Sequence, residues 1–307
     1  MSLLARLKGK GKSGFGYGST AEEVTAGIDL QGKNFLVTGC NSGLGLETAR
    51  VLALRGAHVL GAARTREKAQ GIAGALQGGT YSPYACELSD PTSVRACVSE
   101  VGKAGQPLEG IICNAGIMAL PTLHRAHGYE LQFFTNHIGH FMLVTGLLDQ
   151  LADGGRVVVV ASEAHRSAPR AGIEFDNLSG DRGYEGWTAY GQSKIANILF
   201  AKELARRLDR GRTANALHPG VIQTNLARSM SPIVRGMITL TEPIAMKSVA
   251  QGAATQCYVA THPSLATVTG EYFQDCNLRR PRATAEDPQL AARLWEASER
   301  IVAQLPT

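Results

Sequence analysis

Tyr190-Gly191-Gln192-Ser193-Lys194 sets a phenol and an ammonium at i and i+4, on one face of a helix. An isolated tyrosine titrates at about 10 and is a poor proton donor or acceptor at neutrality. A neighbouring Lys⁺ favours the phenolate, so the spacing predicts a Tyr190 of lowered pKa that works as a general acid/base. The same spacing also occurs on ordinary amphipathic helix faces. Here other polar residues accompany it. Ser162 closes the run Val157-Val158-Val159-Val160-Ala161, where its hydroxyl can hydrogen-bond a substrate oxygen. Asn136 lies within Thr135-Asn136-His137-Ile138-Gly139-His140-Phe141. His218-Pro219-Gly220 ends another apolar run, with Thr224 beyond it.

A second cluster suits phosphate. Thr38-Gly39-Cys40-Asn41-Ser42-Gly43-Leu44-Gly45 lies between the first apolar run and the first helical pattern. Glycines there allow a sharp turn, a close approach of backbone to a pyrophosphate and a tight helix start. The helix N-terminus adds free N–H groups and the positive end of a dipole. Any tight strand-to-helix turn can use glycine, but its place at the first such turn favours nucleotide binding. After the second strand come Ala62-Ala63-Arg64-Thr65-Arg66, with two arginines and no acid. An acid would bind the ribose 2′-OH of NAD; a cation suits the 2′-phosphate of NADP. The expectation is therefore NADP(H), with NAD(H) the alternative if the arginines are merely solvated. Glu87 and Leu88, after the third strand, are expected near the adenine. Asn114-Ala115-Gly116, after the fourth, should let the backbone approach the nicotinamide-side ribose.

The elements that must position these residues alternate. Strands are expected at 34–38, 58–62, 81–86, 110–114, 156–162 and 213–218, and helices at 45–55, 91–103, 128–151, 189–209, 248–260 and 287–304. The continuous apolar run at 157–160 suits a parallel strand buried on both faces. The fold class is α/β: a single-domain, doubly wound parallel sheet of the Rossmann kind, flanked by helices. Residues 1–29 read as an N-terminal arm and 30–307 as the domain, without internal repeat or linker. The basic opening MSLLARLKGKGKSG has too short an apolar stretch for a signal peptide. It reads as a frayed, solvated arm, weak binding to an anionic membrane surface being the alternative.

With these motifs in order, the chain resembles a short-chain dehydrogenase/reductase of the classical type, over roughly residues 30–276. The resemblance rests on T-G-x-x-x-G-x-G, N-A-G, the strand-ending serine, Y-x-x-x-K and H-P-G-x-x-x-T. It implies a catalytic tetrad. Asn136 would hold a water in a proton relay and Ser162 would orient and polarise a carbonyl. Tyr190 would transfer the proton, while Lys194 lowers its pKa and grips the nicotinamide ribose. The resemblance also implies cofactor contacts from Gly39, Asn41, Ser42, Gly43, Leu44, Gly45, Arg64, Glu87, Leu88, Asn114, Ala115, Gly116, Tyr190, Lys194, Pro219, Gly220 and Thr224. Within the family, the runs at 57–64, 136–141, 173–178, 190–200, 15–24 and 270–273 are similar to the retinol-dehydrogenase-like and WW-domain-oxidoreductase-like branch. Three positions depart from the usual pattern: Glu87 stands for Asp beside the adenine, Cys113 for the first Asn of N-N-A-G, and Ala161 for the first of a serine pair.

Residues 225–249, the family's substrate lid, carry Met230, Ile233, Met237, Ile238, Leu240, Ile244 and Met246. They either pack helices onto the core or line an adaptable pocket for a lipophilic ketone, aldehyde or secondary alcohol. His137 and His140 stand at i and i+3 without acidic or cysteine partners, so they read as helix-packing residues and no metal is expected. His165, three residues past Ser162, either borders the pocket or is solvated. A nucleotide-sensing scaffold without turnover is the alternative function; it leaves Tyr190 and Lys194 unexplained, and a methyltransferase explains the set still less well.

Composition excludes other classes. Hydrophobic residues make up 44% and charged residues 19%, a balance that fills a core rather than a disordered chain. The net charge of +5 is spread along the chain, so no nucleic-acid partner is expected. No apolar run is long enough for a membrane helix. Six cysteines without C-x-x-C spacing read as reduced thiols, Cys40 and Cys113 among them as small apolar fillers, and with no membrane helix or signal-peptide core expected the cytoplasm is the default location. The resemblance implies a homodimer or homotetramer paired through the helices at 128–151 and 189–209.

Overall fold

A computed structural model of the chain describes residues 9–222 and 246–306. Among the described residues the strands are β1 (Asn34–Thr38), β2 (His58–Ala63), β3 (Thr80–Ala85), β4 (Leu108–Cys113), β5 (Arg125–Ala126), β6 (Tyr129–Glu130), β7 (Leu151–Val160), β8 (Thr213–His218), β9 (Tyr272–Gln274) and β10 (Asn277–Leu278). The α-helices are α1 (Ala21–Val24), α2 (Gly43–Leu54), α3 (Arg66–Gln70), α4 (Pro91–Ala104), α5 (Leu131–Phe133), α6 (Gly139–Gly146), α7 (Gly186–Arg207), α8 (Val249–Thr261) and α9 (Pro288–Gln304).

Eight strands form one sheet in the order β10-β9-β8-β7-β4-β1-β2-β3, all parallel except β10. The chain winds outward from β1 through β2 to β3, then crosses to β4 and winds the other way. The reversal leaves a crevice at the carboxyl ends of β1 and β4, the place where doubly wound sheets bind ligands. Apolar residues on both sheet faces make two core clusters, one under α4 to α7 and α9, the other under α1, α2 and α8. The sheet is thus covered on both faces, which is why its parallel strands read as unbroken apolar runs.

Helix starts follow their caps. Asp90 accepts from the Thr92 N–H ahead of α4, with Pro91 at its first position. Glu185 accepts from Trp187 and Thr188 and opens α7 three residues before the expected 189. Ser248 and Gln251 form a reciprocal capping box at α8, and Asp287 caps α9.

Three expectations are corrected. The single helix at 128–151 does not exist. Gly128 takes φ +86° and Tyr129–Glu130 pairs with Arg125–Ala126 as a hairpin. A π segment at Phe134–Ile138 separates α5 from α6, and Leu151 already belongs to β7, paired with Leu108. The fifth strand accordingly spans 151–160, and Ser162 caps the short 3₁₀ turn that follows. Second, β9 and β10 extend the sheet and were not anticipated. Third, the start of the chain is not free over its described part. Asn277 accepts from the Ser13 N–H and donates to the Phe15 carbonyl, and the Phe15 ring packs edge-on against Tyr258 and His262. Gln251 reaches back to the Gly18 carbonyl. Most of the lid at 225–249, and Thr224, lie outside the described residues.

Candidate active site

The glycine loop leaves β1 and enters α2 with Gly39 and Gly43 at φ +67° and +54°, in the left-handed region where a side chain is strained. Gly45 answers a different need. A Cβ there would lie 2.2 Å from the Gly39 carbonyl oxygen and 2.6 Å from Asn114 Nδ2. The loop is therefore closed onto itself and onto the turn after β4 as only glycine permits. Ser42 is the N-cap of α2 but makes no side-chain cap bond, leaving the first-turn N–H groups open beside the exposed Asn41 and Ser42. This cradle fits a pyrophosphate. Leu44 is half-buried behind it.

Thr38 ties the loop to its neighbour. Its Oγ1 accepts from the Asn114 and Ala115 N–H groups at 2.9 and 3.0 Å, and Asn114 Nδ2 donates to the Thr38 carbonyl at 2.8 Å. At the end of β2, Arg66 is occupied by Glu100 and the Pro83 carbonyl. Arg64 is exposed, with no hydrogen bond or ion pair among the described residues. The Glu87 carboxylate is turned back onto Ser89, whose N–H and hydroxyl it accepts at 3.2 and 2.8 Å. Leu88 is buried, its carbonyl against Gly139 so closely that a Cβ on that glycine would sit 2.3 Å away. Pro219 is buried and Gly220, at φ +104°, lies against the Lys247 side chain.

Across the crevice, α7 carries Tyr190 and Lys194 on one face, both buried. The Ser162 side chain is near enough to the Tyr190 phenol to favour its charged form. Ser162 Oγ also accepts from the Ala164 N–H at 3.2 Å. Lys194 Nζ stands 5.6 Å from the Tyr190 ring centroid and donates to the Val160 carbonyl at 3.0 Å. Asn136 is clamped on all sides by its amide. Nδ2 donates to the Ile117 carbonyl and to Ser193 Oγ, each at 2.9 Å, and Oδ1 accepts from the Ile117 N–H at 2.8 Å. Gly116 lies between the groups: a Cβ there would sit 3.0 Å from Asn136 Oδ1 and 3.5 Å from Lys194 Nζ. Residues from the turn after β4, the π segment, the end of β7 and α7 thus meet in one place.

One electrostatic expectation is overturned. Burial pushes the Tyr190 phenol up to about 12, opposed only by the Ser162 side chain, and lowers Lys194 to about 8. Desolvation penalises both charged forms, and the ammonium is held beside the ring by Val160 rather than at the hydroxyl. Near neutrality the site therefore holds a neutral phenol beside a cation.

Ser193 and Trp187 escaped sequence reasoning, whereas His165 is one of the residues the sequence singles out. Ser193, inside Y-x-x-x-K, accepts from Asn136 and donates to the Tyr190 carbonyl at 2.8 Å. His165 is fully buried; its Nδ1 donates to the Ser162 carbonyl at 2.7 Å and its Nε2 accepts from the Arg282 N–H. Trp187, 42% exposed, sets its ring edge-on to Tyr190 at 6.1 Å, one helical turn earlier. Its i−3 spacing was the available signal. His137 packs on Ser298, Cys40 and Cys113 are buried, and burial raises both thiols.

A model of the short chain dehydrogenase family matches residues 33–233, and relatives match along almost the whole length. The chain belongs to the short-chain dehydrogenase family. It is 41% identical to the chloroplastic short-chain dehydrogenase TIC 32 B of Brassica napus, covering all of both chains. It is 36% identical to human retinol dehydrogenase 14, covering 90% of this chain and 88% of that one. It is 39% identical to the human WW domain-containing oxidoreductase, covering 92% and 71%. These relatives place it on the branch of retinol dehydrogenases and WW domain-containing oxidoreductases. A short chain dehydrogenase from Burkholderia cenocepacia J2315, solved in complex with NADP, superposes with a TM-score of 0.65 at 26% identity, covering 80% of this chain and 96% of that one. The family member described here is thus an NAD(P)-dependent oxidoreductase with a Rossmann fold. Among its described residues no helix is long and apolar enough to cross a membrane.

Proposed function

We propose that this protein is an NADP(H)-preferring reductase or dehydrogenase acting on lipophilic ketones, aldehydes or the corresponding alcohols, with Asn136, Ser162, Tyr190 and Lys194 as its catalytic set. The observation that carries the reading is the meeting, at the carboxyl end of β7, of Ser162 with the buried Tyr190 and Lys194, the Lys194 ammonium 5.6 Å from the Tyr190 ring and bonded to the Val160 carbonyl. A bound nicotinamide supplies the hydride. The chain's own residues do the rest. The Ser162 and Tyr190 hydroxyls present two donors to one carbonyl oxygen, orienting and polarising it. The Tyr190 proton passes to that oxygen as negative charge develops. Lys194, cationic below about 8, stabilises the phenolate left behind. Asn136 locks Ile117 and Ser193, so the turn after β4 and the helix carrying Tyr190 hold a common geometry.

Gly39 through Gly45 would hold the pyrophosphate, Arg64 the 2′-phosphate, Asn114 to Gly116 with Lys194 the nicotinamide-side ribose, and Pro219-Gly220 the nicotinamide. Arg64, exposed and without a partner among the described residues, supports NADP(H), as does the NADP bound to the Burkholderia relative. Exposed Trp187 and Val221, large apolar side chains beside Tyr190 and Gly220, support a lipophilic substrate. Six buried, unpaired cysteines support a reducing compartment such as the cytoplasm. A homodimer or homotetramer is also proposed, its contacts shifted from the family's usual pair of helices. On that face α9 already lies over α7, with Trp295 stacked on Phe200 and beneath the Arg207 guanidinium.

The test is loss of reduced-nicotinamide absorbance against a panel of lipophilic ketones and aldehydes, with NADPH and NADH run separately. Carbonyl-dependent oxidation of NADPH that Tyr190→Phe lowers by about 10²-fold or more, with NADPH binding retained, is the expected result. Full activity in that variant refutes the assigned mechanism. Tight cofactor binding without turnover across the panel would favour a sensing scaffold instead.

A further inference from the structure

A buried imidazole outside the tetrad joins its two sides. His140 is 1% exposed. Its Nδ1 lies 3.0 Å from the Asn136 carbonyl oxygen and its Nε2 2.9 Å from Thr38 Oγ1. A carbonyl can only accept, so Nδ1 carries the proton and Nε2 accepts from the Thr38 hydroxyl. The Thr38 hydroxyl then donates to His140 at 2.9 Å, the Ile112 carbonyl lying farther off at 3.4 Å, and its oxygen accepts from the N–H groups of Asn114 and Ala115. The contacts run unbroken from the Asn136 carbonyl through the His140 ring and Thr38 to the turn after β4.

His137, one helical turn earlier, provides the contrast. It too is buried, but its Nε2 meets Ser298 on α9 and its Nδ1 has no partner, the pattern of a packing residue. His140 also sits just after the π segment, where the helix ladder is interrupted at Asn136, an irregularity common at functional sites. Desolvation keeps the His140 ring neutral at physiological pH, so the single tautomer is stable.

We propose that His140 is a positioning residue that sets the Asn136 carbonyl, on the proton-transfer side, in register with the Thr38-Asn114-Ala115 backbone, on the cofactor side. The proton-transfer half rests on the oxidoreductase reading above; the cofactor half does not.

Two substitutions separate the halves. In His140→Asn the amide occupies the Nδ1 position, keeps a donor for Asn136 and cannot reach Thr38. In His140→Gln the amide reaches the Nε2 position, keeps an acceptor for Thr38 and loses the Nδ1 donor. NADPH Kd is measured by fluorescence titration of the cofactor-free protein, kcat with the best carbonyl of the panel, and Tm for each. The expected result is a crossed pattern. His140→Asn raises Kd about tenfold with kcat within about twofold, and His140→Gln lowers kcat about tenfold with Kd within about twofold. His137→Asn moves neither by more than about twofold. Parallel losses of Kd and kcat that track Tm, or no change in either, overturn the proposal. The ¹⁵N shifts of the His140 ring in the unmodified protein need no variant to fold: an Nδ1–H tautomer at pH 7 supports it, an Nε2–H tautomer or a cation overturns it. If the unmodified protein binds NADPH without turnover, the oxidoreductase reading alone fails, and the Kd contrast between the two variants decides the cofactor half.

Discussion

His137, His140 and His218 are buried, and burial holds their rings down to about 3, 4 and 4. In the unfolded chain each titrates at about 6.5. Between these values the unfolded state binds protons that the folded state refuses, so stability is fully present above about 6.5 and falls as pH drops toward the folded values. Between pH 7.5 and 5, integration of the two titration curves gives about 2 kcal/mol per ring, about 6 kcal/mol for the three. That is comparable with the whole stability of an ordinary domain, about 5–15 kcal/mol. Glu130 opposes the trend: burial raises its pKa, so the folded state takes up its proton first and recovers some stability at the acid end. Urea denaturation at half-unit steps from pH 7.5 to 5 measures the effect. The unfolding free energy should decline with a limiting slope of about three protons or more, because burial lowers the His165 ring as well. His137→Gln, which removes a ring remote from the site, should reduce the total loss by about 2 kcal/mol. A slope below one proton throughout would refute the premise that these rings stay neutral in the fold.

The remaining predictions concern the site. Gly116→Ala brings a Cβ to 3.0 Å from Asn136 Oδ1, an atom that cannot yield because three hydrogen bonds hold its amide. It should lower kcat/KM at least about tenfold while Tm falls by only a few degrees, read by kinetics and calorimetry. Carbonyl-reducing kcat/KM should fall as pH rises through about 8, where Lys194 loses its proton, and Lys194→Met should remove that limb of the profile. Arg64→Ala should raise the KM for NADPH about tenfold and leave that for NADH nearly unchanged, since its guanidinium has no partner within the described fold.

Local spacing determined much of this protein. The buried parallel strands are continuous apolar runs because helices cover both sheet faces, and their order of appearance sufficed for a doubly wound sheet. The glycine loop, Tyr190 with Lys194 one turn apart, and the strand-ending Ser162 are likewise short-range patterns. Where burial surrounds an element, the pattern disappears. Residues 139–144 are buried all round, so no polar face marked the helix, its π interruption at Phe134–Ile138 or the hairpin before it. The β9–β10 hairpin was hidden by its brevity, and the anchoring of Phe15 by partners some 260 positions away. Tertiary structure alone decided the electrostatics: Lys194 four residues from Tyr190 implied a lowered phenol, yet burial raises it. It also decided that His140, indistinguishable from His137 by spacing, meets Thr38 across 102 residues of chain. Periodicity records which face of an element is dry; it cannot record which buried polar atoms meet, because those contacts are made between elements.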